Sequence, residues 1–266
     1  MGKDRTGEER REYGYLHTGN DARYVRGVPR QQIAGYSIGI VYIENIDYTV
    51  MPGNVVNACT YDFPVRMRAV ENLTNTRLFD ADPTIAEDIL AAARHMVEKE
   101  GVRAICSACG FFGNYHRQVA GALDVPVALS SLVQIPMIRS TLAPGQKIGI
   151  LTANAAAMTD ALFENCGISD AGGLVIEDTL DTEQFSAVVK MTGGFDNGVA
   201  RQEVVEAARK LMAKEPGIGA LLLECSDMPP YAAAIQAETG LPVFDFITLI
   251  RWLHHAVAQR PYTGWV

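Results

Sequence analysis

The sequence predicts an α/β protein built of two similar halves, each a mostly parallel sheet flanked by helices. Three observations carry this. Helical and strand patterns alternate along the chain from residue 36 onward. The strand candidates are short, continuous apolar runs, such as Tyr36-Ser-Ile-Gly-Ile-Val-Tyr-Ile43 and Lys147-Ile-Gly-Ile-Leu-Thr152. Such runs suit strands covered on both faces. The chain also repeats itself: residues 87–127 align without a gap on residues 203–243, and ten of the 41 positions are identical. Chance would give about three at ordinary residue frequencies.

Each element has its own warrant. Residues 1–35 are charged and Gly-spotted with no sustained period, and they read as a flexible or partner-clasping arm. Residues 36–43 form the first strand. Ala, Leu, Met and Val recur at helical spacing over Ile85–Glu100, and Gly101 follows as a stop. Val102–Ser107 is the next strand. Tyr115–Leu123 is a helix with Asn114 placed to cap it, and Val125–Leu129 is a further strand. The second copy runs through a helix, Gly217, a strand ending in Leu221-Leu-Leu-Glu224 and then Cys225. Pro229 and Pro230 follow in a first helical turn, with Gly240 as its stop and Pro242-Val243 as a strand. These elements group as a first α/β domain over 36–138 plus 241–266 and a second over 139–240.

Composition narrows the partners. The 266 residues carry a net charge of −8, which argues against a polyanion such as nucleic acid as partner. No stretch approaches the ~18 consecutive apolar residues of a membrane span, and the Arg-rich start lacks the apolar centre of a secretory signal. Five cysteines at uneven spacing make no disulfide framework, and a reducing cytoplasm is the expected compartment. Cys106-Ser-Ala-Cys109 has the C-x-x-C form, but no second pair or His cluster completes a zinc site. The histidines, His254-His255 included, show no metal spacing. Gly193-Gly-Phe-Asp-Asn-Gly198 lacks the Lys-Ser/Thr of a phosphate loop, and no G-x-S-x-G elbow is present.

The repeat singles out Cys109 and Cys225. Each sits just past the carboxyl end of a predicted parallel strand and just before a helix, which is where open α/β sheets bind ligands. A lone cysteine after a strand is usually a small buried hydrophobe, and Cys59, Cys106 and Cys166 are read that way. A rare residue repeated at the ligand edge is different. If the halves pack about a pseudo-twofold axis, the two thiols can face each other across one cleft. One thiolate would then take a proton from one face of a carbon while the other thiol returns one to the opposite face. A helix start behind each cysteine would lower the thiol pKa and offer N–H groups to a substrate carboxylate.

At these residues the chain resembles the aspartate/glutamate racemase superfamily, which includes hydantoin racemases. The matching segments are Ile105-Cys-Ser-Ala-Cys109-Gly110-Phe111, Leu221-Leu-Leu-Glu224-Cys225, Pro52-Gly53-Asn54 with Asn57, Thr60–Val65, Ser130–Pro136 and Ile148–Thr152. The resemblance covers roughly residues 36–255. It implies two flavodoxin-like halves about a pseudo-twofold, a site between them, no cofactor, a small carboxylic acid as substrate, and a homo-oligomer. It places Cys109 and Cys225 as the catalytic pair and Asn54 near the substrate, where a close subgroup has Asp. Thr152 and Asn154 would line the cleft, with Gly110, Phe111, Ser226 and Asp227 following the two cysteines. Ser130 and Ser107 either contact substrate or satisfy backbone groups in a turn.

The chain departs from the well-known glutamate and aspartate racemases, which follow the first cysteine with Asn-Thr and the second with Thr. Here those positions are Gly110-Phe111 and Ser226-Asp227. Phe111 and Phe112 either line the cleft and imply a larger or less polar substrate, or belong to the core. The expected activity is inversion at the α-carbon of an amino acid or related small carboxylic acid. The alternatives are isomerisation, decarboxylation or elimination on the same scaffold, or non-catalytic binding of a small acid. Relatives with one of the two cysteines do the former chemistry, and the presence of both here favours racemisation.

Overall fold

A computed structural model describes residues 32–44, 46–260, 262, 264 and 265. In chain order its first half holds β1 (Ile38–Ile43), β2 (Val65–Val70), α1 (Asn75–Phe79), α2 (Ala86–Glu100), β3 (Ala104–Ala108), α3 (His116–Gly121), β4 (Val127–Ala128) and α4 (Ile135–Thr141). The second holds β5 (Lys147–Thr152), α5 (Asp160–Asn165), β6 (Leu174–Asp178), α6 (Phe185–Lys190), α7 (Asn197–Lys214), β7 (Ile218–Leu223), α8 (Ala232–Thr239) and β8 (Val243–Phe244), and α9 (Phe246–Val257) closes the chain. The expected arm over 1–35 lies outside the described residues except for 32–35.

Two four-stranded sheets result, ordered β2-β1-β3-β4 and β6-β5-β7-β8, and every pairing is parallel. The internal repeat therefore marks a true duplication of architecture. The central strands are almost entirely buried, as their unbroken apolar runs require. Edge strand β2 alternates Val, Arg and Met and is only half-buried, with Arg66 reaching the carboxylate of Glu100 at the end of α2 at 2.7 and 3.0 Å.

The duplication extends to packing detail. Gly39 of β1 and Gly149 of β5 stand in matching Ile-Gly-Ile runs under the long helix of each half. A Cβ at Gly39 would come within 2.9 Å of Val102 and 3.0 Å of Met96, and one at Gly149 within 2.5 Å of Leu211. Both helices lie closer to their sheets than any side chain there would allow.

Three expectations need correction. β8 pairs with β7, so residues 243–244 belong to the second sheet and the crossing to the first half falls near Asp245, past the expected boundary at 240/241. Only α9 returns, laying Phe246, Leu249, Ile250 and Leu253 on Ile38, Ile40, Ala104 and Cys106 of the first sheet. The helix expected over 115–123 is shorter and is entered through a 3-10 turn, Gly110–Tyr115. Asn114 does not cap it; its side chain donates to the Leu78 carbonyl at 3.1 Å. Burial of Phe111 and Phe112 inside that tight turn explains the delay. His254, on a terminal helix face read as packed or solvated, is the packed member of its pair: it stacks on Phe63 at 3.6 Å and meets Ser37 Oγ at 2.7 Å.

Candidate active site

β3 delivers Cys109 one residue past its end, in extended backbone, and the 3-10 turn follows at once. Ser107 fixes this corner: its Oγ donates to the Leu129 carbonyl at 2.5 Å and lies 3.1 Å from the Cys109 carbonyl. β7 delivers Cys225 in the same way, two residues past Leu223 and ahead of the turn Pro229–Tyr231. Both cysteines line one cleft, about 490 Å³ of atom-free space, together with Tyr48, Asn54, Phe79 and Asp227. The rest of the wall is largely apolar, from residues such as Ile43, Val56, Val188 and Met191.

Asp227 organises the polar side of this cleft. Tyr48 donates its hydroxyl to Oδ1 at 2.7 Å, and Asn54 Nδ2 donates to the same oxygen. Ser226 Oγ and Cys225 Sγ lie 3.4 and 3.9 Å from Oδ2. Asn54 is itself held in a tight loop: its Oδ1 accepts from Val56 N–H at 2.9 Å and its carbonyl accepts from Thr60 Oγ1 at 2.8 Å. Gly53 in this loop has φ +98° and abuts Pro230, so the loop of the first half docks on the turn that carries Cys225.

Burial pushes both thiols well above the ordinary cysteine range, Cys109 next through Glu224 and Cys225 through Asp227 and then Glu224. This reverses the expectation that helix starts would acidify them. The α-helices α3 and α8 begin only after the intervening turns, and the groups that favour the thiolates are single backbone N–H groups, of Phe111 and Asp227. Cys225 also senses Cys109. Burial raises Asp227 as well, against the pull of its donors.

Of the residues singled out from sequence, Cys109, Cys225, Asn54, Ser226 and Asp227 meet in the cleft. The other five do not line it. Phe111 is in the core, edge-on to Phe79 at 4.8 Å. Gly110 is buried against Glu224. Ser130 caps the turn Ser131–Gln134, and Asn154 caps the turn Ala155–Ala157. Thr152 donates to Glu224 Oε2 at 2.7 Å behind the cysteines. Sequence reasoning missed Tyr48, which lies in a loop without periodicity. It also gave no role to Glu224, although a carboxylate closing a run of three leucines is a signal in itself. Among the described residues no three of His, Cys, Asp and Glu gather as a metal-holding group, and no helix is long and apolar enough to cross a membrane.

Residues 80–253 match the sequence profile of a family described as Asp/Glu/Hydantoin racemase. The chain belongs to this family. Among Asp/Glu/hydantoin racemase family relatives, a dimethylsulfoniopropionate lyase from Durusdinium sp. clade D is 30% identical over 234 residues, covering 86% of this chain and 77% of that protein. Dimethylsulfoniopropionate lyase 7 from Emiliania huxleyi is 29% identical over 237 residues, covering 86% and 69%. Allantoin racemase from Pseudomonas fluorescens shares the fold with a TM-score of 0.56 at 14% identity, covering 86% of this chain and 99% of its own. Glutamate racemase from Bacillus anthracis does so with a TM-score of 0.54 at 13% identity, covering 84% and 83%.

Proposed function

We propose that this protein is a cofactor-independent lyase that removes a proton next to a carboxylate, with Cys109 and Cys225 as the acid/base pair, and expels a sulfonium group from the neighbouring carbon. Dimethylsulfoniopropionate, named in the lyase relatives, is a substrate of this kind. The observation that carries the reading is the charge of the cleft. Its described lining residues include the carboxylate of Asp227 and no Lys, Arg or His, while Tyr48 and Phe79 supply aromatic surface. Such a wall repels a simple dicarboxylate and suits an onium cation. The substrate's carboxylate would be left to Ser226 and the backbone amides that open the turns after the two cysteines.

The same feature answers the chemical problem posed by the buried thiols. A sulfonium cation beside them favours the charged form of a thiol, so the base is generated when substrate arrives. The thiolate takes the proton from the carbon next to the carboxylate. The electron pair of that C–H bond becomes the new C=C bond, and the C–S bond breaks with its pair leaving on sulfur. A neutral sulfide and an unsaturated carboxylate result, and the thiol returns its proton to solvent.

A second reading, inversion at the α-carbon, is favoured by the quasi-symmetric placing of the two cysteines on β3 and β7. One assay separates them. With dimethylsulfoniopropionate in D₂O, elimination gives vinyl proton signals and a free sulfide; with chiral amino or hydantoin-type acids, inversion gives deuterium at the α-carbon and loss of optical activity. No product from sulfonium acids, with inversion of the others, would overturn the lyase reading. In the active assay, Cys109→Ser and Cys225→Ser are each expected to lower kcat/KM by about a hundredfold or more. A fully active variant would remove that cysteine from the mechanism.

A further inference from the structure

Glu224 stands directly before Cys225 and is fully buried, where the first copy of the repeat has Ala108. Its backbone N–H prolongs the β5–β7 pairing by donating to the Leu151 carbonyl at 2.8 Å. The side chain then crosses the seam between the halves. Oε2 accepts from Thr152 Oγ1, and Oε1 lies against Gly110, where a Cβ would come within 1.9 Å. That approach is possible because the first copy has glycine here and the second has Ser226. Oε1 has no hydrogen-bond partner, and among the described residues it is the one fully buried side-chain N or O atom in that state. A buried carboxylate oxygen without a donor is costly; a proton on it removes the charge and turns it into a donor.

We propose that Glu224 is a positioning residue for the thiol chemistry: a buried acid set against the Cys109–Gly110 turn whose charge governs both cysteines, leaving a thiolate unopposed while Oε1 carries a proton and opposing it once the carboxyl is ionised. The inference rests on the reading of Cys109 and Cys225 as the reacting pair. The titratable groups around it are Cys109 across the seam, Cys225 beside it and Cys166 after α5, all of which feel its charge. Asp227 acts on the same two thiols from the cleft side, with Tyr48 beyond it. Burial lifts the Glu224 carboxyl to about 7 against the pull of Thr152 and the Ala153 amide. Its proton is therefore lost in the neutral range, and the thiols and this carboxyl titrate as a coupled set.

The test reads the thiols without substrate, so a wrong substrate assignment leaves it intact. Alkylation of Cys109 and Cys225 by iodoacetamide is followed by peptide mass spectrometry from about pH 6 to about pH 10. In Glu224→Gln, a neutral isostere, Cys109 is expected to alkylate about tenfold faster than wild type at about pH 9. Near-UV circular dichroism checks the fold. In Thr152→Val the carboxyl loses the donor that favours its ionised form, so both thiols should react several-fold faster than wild type at about pH 8. This second variant decides the matter if Glu224→Gln does not fold. A folded Glu224→Gln whose alkylation curve overlays that of the wild type overturns the proposal, even if its turnover is lower, and so does an overlaid Thr152→Val curve should that variant decide.

Discussion

In the cleft a single carboxylate, Asp227, faces two thiols that burial has already made weak acids, and Tyr48 and Asn54 both donate to it. Asp227→Asn should therefore act in opposite directions on two readouts. The free thiols, Cys225 first, should alkylate faster at a given pH because a nearby negative charge is gone. KM for a sulfonium acid should rise about tenfold because the attraction for the cation is gone with it. Faster alkylation with a KM unchanged from wild type or below it would argue against Asp227 as the cation's partner. Gly110→Ala presses a methyl group on the Glu224 carboxyl and should destabilise the protein by about 1–3 kcal/mol, read as a lower urea midpoint. The cysteines could be found in the sequence because a rare residue recurs at one place in a repeat. Tyr48 could not, because nothing local marks a loop tyrosine whose partner is 179 residues away.

The strands and long helices follow from local pattern: β5 occupies the residues read from its apolar run, and α2 begins one residue later than read. The turns after the cysteines did not follow, because Gly110–Tyr115 is shaped by what Phe111 and Phe112 bury against and not by capping residues. At the edge of the first sheet, α2 ends on the buried Glu100, whose carboxyl is held below the usual range chiefly by the hydrogen bonds from Arg66 on β2. A depressed carboxyl contributes stability above its unfolded pKa, and that contribution is lost as pH falls through the folded one. Arg66→Ala should cost about 1–3 kcal/mol at neutral pH, since it leaves a buried carboxylate underpaired. The gap to wild type should narrow in acid, which urea melts at two pH values would show.

Both sheets, joined by one core that runs across the halves, enclose Glu224 at their seam. Its carboxyl is raised by burial, so the sign is opposite to that of Glu100. Its contribution is complete below the unfolded pKa near 4.5 and is lost as pH rises through about 7. On the order of 3 kcal/mol of stability should disappear over that interval. Glu224→Gln should flatten this slope in urea melts taken from acid to mildly alkaline pH; an unchanged slope would place the titration elsewhere. The duplicated topology was readable from the repeat, but the site of the last crossing was not. β8 has two residues, and so short a strand takes its place from its neighbour β7, not from its own composition.

Because α9 returns to cover the first sheet, the first half is not a contiguous stretch of chain. Severed between α4 and β5, the N-terminal piece would keep its four strands but expose Ile38, Ile40 and Ala104 where α9 now lies. Expressed by itself it should collect in inclusion bodies; produced alongside the remainder, the two polypeptides should reconstitute a soluble heterodimer.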